Sequence, residues 1–172
     1  MLTKTSLLFT FLSLSALAAA KPLDVFFGTG GRGAEGIYHA TFNPDNGKFS
    51  PAKLAAEIGS PGFLAHHPDG KKIYAVARWD KLAGAVGYNV LPGGELKEFT
   101  RMACPDGGGA HIAVHPSGKF LLTAQYGGGS VALFPLDSSG KLGEPTVSEH
   151  EGGSKVVERR QESPHPHWCG FS

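Results

Sequence analysis

Three stretches of this chain read as copies of one another at a spacing of about 50 residues. They are Gly62-Phe63-Leu64-Ala65-His66-His67-Pro68-Asp69-Gly70-Lys71, then Ala110-His111-Ile112-Ala113-Val114-His115-Pro116-Ser117-Gly118-Lys119, then the partial copy His167-Trp168-Cys169-Gly170-Phe171-Ser172. A repeat of that length, made of short apolar runs closed by turn residues, specifies a β-propeller blade, in which four antiparallel strands run from a central channel outward. Gly47, Gly94 and Gly140, each beginning a Gly-x-apolar turn, recur at intervals of 47 and 46 residues and mark the same hairpin in successive units. With 25 glycines and 12 prolines the chain has the turn chemistry for many short strands, and no segment keeps a helical period.

The unit from residue 63 predicts strands at 63–66, 72–77, 84–90 and 96–103; the next predicts them at 111–114, 119–124, 130–135 and 145–150. The first unit offers 24–28, 36–42 and 52–58, which match strands two, three and four with no inner strand ahead of them. The expected fold is therefore all-β, an open arc of about three four-stranded blades followed by an orphan inner strand. The chain is expected to be the N-terminal part of a longer propeller, its apolar blade faces left wet at both ends. Residues 21–172 form the partial propeller domain and are expected to be inactive by themselves.

Residues 1–20 read as a secretory signal peptide, because Lys4 precedes an apolar run ending in Ala18-Ala19-Ala20. That run is too short for a comfortable membrane span. Its removal takes away one base and no acid, leaving the bases equal to the 15 acids. A neutral exported chain gives no reason to expect nucleic acid or an anionic membrane as partner. Cys104 and Cys169 permit one disulfide in an oxidising compartment, or remain two buried thiols.

The densest polar constellation is Arg159-Arg160-Gln161-Glu162-Ser163-Pro164-His165-Pro166-His167. In the repeat frame His167 stands where Gly62 and Ala110 stand, at the start of an inner strand and so at the channel rim. Two imidazoles beside two guanidiniums can move a proton at neutral pH and hold an anionic or carbonyl oxygen. The alternating prolines hold the backbone extended. The alternatives are a polar loop whose histidines cap backbone groups, and a His-x-His metal site, for which only Cys169 is at hand as a further ligand. His111, which follows Gly107-Gly108-Gly109, is a second candidate channel ring, whereas His67 and His115 are turn residues of the repeat. Arg32 and Arg78 lie on loops that can reach the channel mouth. Gly28-Thr29-Gly30-Gly31-Arg32-Gly33 lacks the helix a phosphate loop needs, and no Gly-x-Ser-x-Gly elbow is present.

The run Gly108-Gly109-Ala110-His111-Ile112-Ala113-Val114-His115-Pro116-Ser117-Gly118-Lys119 through Val131, with Arg160-Gln161-Glu162-Ser163-Pro164-His165-Pro166-His167, resembles the propeller-type 6-phosphogluconolactonase and carboxymuconate-cyclase family. The resemblance extends over essentially all of residues 21–172. It implies a seven-bladed propeller about twice this length, with no obligatory metal or cofactor and a channel site built from His, Arg and Glu. Carried over by position, His165, His167 and Arg160 take catalytic roles, and His111, Gln161 and Arg159 bind substrate. Ala110 stands where the family often has Cys, and the acidic partner and further arginines would lie beyond Ser172. The implied activity is hydrolysis of a sugar lactone such as 6-phosphogluconolactone, with a small-molecule lactone as the partner. A lactonising muconate cycloisomerase and a non-catalytic extracytoplasmic binding propeller are the alternatives. The sequence carries no signal for oligomeric state.

Overall fold

The computed structural model describes residues 20–172, so the expected signal segment lies almost wholly outside the described residues. Every regular element among them is a strand, and these form three four-stranded antiparallel sheets. The first sheet holds β1 (Leu23–Gly28), β2 (Gly36–Asn43) and an outer strand broken into β3 (Lys48–Phe49) and β4 (Lys53–Glu57), both paired with β2. The second runs β5 (Leu64–His66), β6 (Lys72–Trp79), β7 (Leu82–Val90) and β8 (Leu96–Ala103). The third runs β9 (Gly109–Val114), β10 (Phe120–Gln125), β11 (Ser130–Pro135) and β12 (Thr146–Glu149). These are propeller blades in sequence, and the arc is open.

The expected strands fall within a few residues of the observed ones. Among the described residues the first blade lacks an inner strand: β1 pairs with β2 and no second strand ladders with it, while it packs near β5 of the next blade. One expectation is corrected. Residues 167–172 do not form a strand, since an inner strand needs the second strand of its own blade and no described residue supplies it. The segment nevertheless lies along β9, where the Cys169 N–H donates to His111 Nδ1 at 3.4 Å and Phe171 packs edge-on to His115 at 4.8 Å.

Strand period 2 explains how the blades stack. On β6, Ile73, Ala75 and Ala77 face the first blade and pack with Ile37 and Ala55, while Tyr74 and Val76 face the third and pack with Ile112, Leu121, Ala132 and Phe134. Both faces of the middle blade are buried, so its second strand reads as a continuous apolar run rather than an alternating one. The first blade leaves Leu23, Phe27, Phe49 and Leu54 exposed.

Turns at one mouth of the arc lock each blade to the next. The Tyr74 hydroxyl donates to the Gly140 carbonyl at 2.6 Å. His67 accepts the Asp69 N–H on Nδ1, so its Nε2–H donates to the Gly118 carbonyl at 3.2 Å. His67 is thus the turn residue that the repeat predicts. Gly94 presses on the imidazole of His39, whose Nε2 is 2.7 Å from Asp24 Oδ1. Gly47, Gly94 and Gly140 all have φ in the left-handed region, between 69° and 86°. Gly94→Ala is expected to cost about 1–2 kcal/mol for the backbone and more for displacing His39. Gly47→Ala, with open space around the new Cβ, should cost the backbone part alone. Urea unfolding of the two variants checks this, and equal losses would show that the His39 contact contributes nothing.

Candidate functional site

Because consecutive strands are antiparallel, the loops that lead into inner strands and those joining second to third strands share the other mouth. Residues 58–63, 104–108 and 150–166 belong to the first kind; 29–35, 80–81 and 126–129 to the second. All the polar candidates of the sequence except His67 and His115 gather on this side.

The 150–166 loop is braced by its own backbone. Arg160 and Gln161 N–H groups both donate to the Val157 carbonyl at 3.1 Å, and Lys155 N–H donates to the Gln161 carbonyl at 3.0 Å. The Gln161 side-chain oxygen accepts the Ser154 hydroxyl at 2.8 Å and the Val157 N–H at 3.0 Å. Gln161, expected to touch substrate, therefore has its carbonyl oxygen engaged inside the loop. Arg159, with φ of 66°, and Arg160 project exposed from the same turn.

His165 and His167 converge on one residue that sequence reasoning missed. The Tyr126 ring stacks on His165 with centroids 4.5 Å apart and planes 21° apart, and meets His167 edge-on at 4.7 Å. His165 Nδ1 lies 2.8 Å from the Tyr126 carbonyl oxygen. A carbonyl can only accept, so Nδ1 carries the proton and the neutral ring keeps its lone pair on Nε2. Tyr126 is the residue after β10, and its place in the repeat frame, matching Arg78 after Ala77, was the signal that could have found it.

The channel wall repeats too. Phe63, His111 and Trp168 occupy one repeat position on three successive inner segments, and they pack in a row: Phe63 to His111 at 4.2 Å, His111 to Trp168 at 5.7 Å. His111 is thereby 8% exposed. Burial lowers its pKa, against the opposing effect of the Cys169 backbone contact, and its Nδ1 accepts the Cys169 N–H. Trp168, 70% exposed, presents an open aromatic face on the other side. Cys104 and Cys169 are both free and buried, so the disulfide alternative does not hold. Burial pushes the Cys169 thiol up to about 11, despite a backbone hydrogen bond at Ala124, so it is a poor nucleophile. Among the described residues no three His, Cys, Asp or Glu side chains are grouped to hold a metal ion.

The arrangement places a base with a free lone pair, exposed guanidiniums and an aromatic wall on one mouth of a propeller arc. Comparison with known proteins bears on what such a mouth does. The chain is 33% identical over 141 residues to the 6-phosphogluconolactonase of Bacillus subtilis, an alignment covering 81% of this chain and 40% of that protein. It is 30% identical over 143 residues to the 6-phosphogluconolactonase of Formosa agariphila, covering 80% of this chain and again 40% of the relative. The chain thus spans about 40% of the length of the curated relatives it matches. The periplasmic gluconolactonase of Pseudomonas aeruginosa superposes with a TM-score of 0.75 at 24% identity, over 84% of this chain and 43% of the other. Residues 24–172 match the model described as lactonase, 7-bladed β-propeller, and the chain belongs to that family.

Proposed function

We propose that the intact protein hydrolyses a sugar lactone, with His165 as general base. The observation that carries this reading is the Nδ1–H bond to the Tyr126 carbonyl, which leaves Nε2 free to accept a proton at the channel mouth. Water attacks the lactone carbonyl carbon as Nε2 takes its proton. The oxyanion of the tetrahedral intermediate draws on the positive charge of Arg160 and Arg159. Collapse breaks the ring C–O bond, and the imidazolium returns its proton to the departing alkoxide, giving the open hydroxy acid. His167, held by the same Tyr126 ring, orients the water or the leaving oxygen. No step uses a metal or an organic cofactor.

The names of the two relatives support 6-phosphogluconolactone as the substrate. The apolar start of the sequence and the likeness to a periplasmic gluconolactonase support an exported enzyme acting on a related lactone outside the cytoplasm. Assaying the purified intact protein on 6-phosphogluconolactone, glucono-lactone and a muconate diacid tests the assignment. Hydrolysis of either lactone well above the spontaneous rate is expected. Cyclisation of the muconate without lactone hydrolysis would replace the proposal with the cycloisomerase, and binding without turnover would leave a non-catalytic propeller.

A further inference from the structure

Arg78, the last residue but one of β6, holds the repeat position that Tyr126 fills one blade later. In the later blade, the Tyr126 ring covers His165. In the earlier one, the residue matching His165 is Gly108, and the Arg78 guanidinium lies where a side chain at 108 would be: a Cβ built on Gly108 runs into Arg78 Nη2, with Cζ at 3.1 Å and Nε at 3.3 Å. The missing side chain therefore makes room for a cation one blade away from the imidazole.

That cation faces a small cavity of about 220 Å³ between the second and third blades, lined by Ser60, Gly62, Ala77, Arg78, Gly108 and Gly109. Four of these residues, Ser60, Gly62, Gly108 and Gly109, lead into or begin inner strands, so the cavity opens on the channel mouth. Its floor is largely backbone, and Arg78 is the only charged residue in it. The neighbouring cleft on the outer side of Arg78 carries Glu35, Glu57 and Asp80, yet none of them forms an ion pair with it among the described residues. The Arg78 backbone is fixed by two hydrogen bonds with Gly59, N–H to Gly59 carbonyl at 2.7 Å and carbonyl from Gly59 N–H at 3.2 Å. Ser60, next along and in the same cavity, holds φ at 49°, a left-handed conformation that costs a serine energy and recurs at ligand sites.

We infer that Arg78, in the Gly108 recess, binds the anionic substituent of the substrate, a phosphate monoester or a carboxylate, while the lactone ring lies toward His165. A guanidinium with no carboxylate partner among the described residues, near the end of a strand and above a backbone-lined pocket, offers two parallel N–H donors to such an oxyanion. The inference rests on the lactonase reading for its reaction, but anion capture is measurable without it.

In the intact protein, Arg78→Gln is expected to lower the ratio of kcat/KM for 6-phosphogluconolactone over glucono-lactone by about 10- to 100-fold. Arg78→Lys should keep part of the preference. Gly108→Ala, which leaves the charge but displaces the guanidinium, should lower the ratio as well. Arg101→Gln is the control, since Arg101 is tied to Glu98 by two hydrogen bonds and stacks over Trp79 at 5.3 Å. Calorimetric titration with 6-phosphogluconate and with gluconate reads the same preference with no turnover. It stands even if no lactone is hydrolysed, in which case the lactonase reading alone fails. A preference for a carboxylate-bearing lactone that is lost in Arg78→Gln assigns the subsite to carboxylate. Unchanged ratios and unchanged 6-phosphogluconate affinity in both Arg78→Gln and Gly108→Ala would overturn the inference.

Discussion

Replacing His165 with Ala in the intact protein is expected to reduce kcat/KM on the hydrolysed lactone by about 10²- to 10⁴-fold, the usual contribution of a positioned general base. The loss should appear chiefly in kcat, because the imidazole acts on the attacking water and holds no part of the ground-state lactone. His167→Ala should cost less, and the double variant little more than His165→Ala alone, since groups that act on one proton do not contribute independently. Tyr126 supplies the discriminating control. Its hydrogen bond to His165 comes from the backbone carbonyl and survives any substitution, while its ring supplies the stack. Tyr126→Phe should therefore be near wild type, and Tyr126→Ala should lose kcat with KM little altered. A loss of less than about tenfold in His165→Ala would remove His165 from the reaction. Thermal melting of each variant separates this from unfolding. His165 lies in a loop, outside both apolar cores, so its truncation should leave Tm almost unchanged.

The blade count was legible because the repeat is written in turn residues, and turn residues act locally. Gly94 and Gly140 need positive φ, and His67 needs its own turn, wherever the blade sits in the ring. Edges were less legible. The break between β3 and β4 falls around Ser50 and Pro51, where a proline has no N–H for the ladder; the strand expected at 52–58 covers β4 and leaves out the two-residue β3 before the break. The 167–172 segment has the inner-strand pattern without a strand to pair with, and pairing is a property no local pattern carries. At the site, His165, His167 and His111 stood out by residue type. Tyr126, Phe63 and Trp168 did not, because a ring next to glycines reads as an ordinary loop residue until the blades are superposed; Arg78 stands out only as a loop residue able to reach the channel mouth, whereas it lies within β6. Their roles come from repeat position: each occupies the place of a residue that touches the same neighbour one blade away. Gln161 shows the reverse case, a residue type suited to substrate that the fold uses to brace its own loop.

Phe134→Ala is expected to cost about 3–5 kcal/mol, as for other fully buried aromatic side chains cut back to a methyl. Phe134 is 0% exposed on β11, where it meets Leu121 and Ile112 of its own blade and Tyr74 and Val76 of the blade before it. A cavity there cannot close easily, because those neighbours are held in β-ladders and the Tyr74 hydroxyl is bound to the Gly140 carbonyl across the same interface. The loss is a large part of the roughly 5–15 kcal/mol that stabilises an ordinary domain. Leu82→Ala, at an exposed hairpin position, should change stability by no more than about 0.5 kcal/mol. The shape of the transition carries further information. Blades form a quasi-linear array coupled through nearest neighbours, and the interface between the first two blades, built on Ile37, Ile73, Val86 and Tyr88, is untouched by the substitution. Urea unfolding followed by both far-ultraviolet circular dichroism and tryptophan fluorescence should therefore separate into an early step, loosening the third blade and the 150–166 loop mounted on it, and a later one. Trp168 reports the first and Trp79 the second. Because His111 and Tyr126 sit on the third blade, lactone turnover should disappear with the early step. A single transition with an unchanged midpoint would show that apolar packing between blades two and three does not hold the arc together.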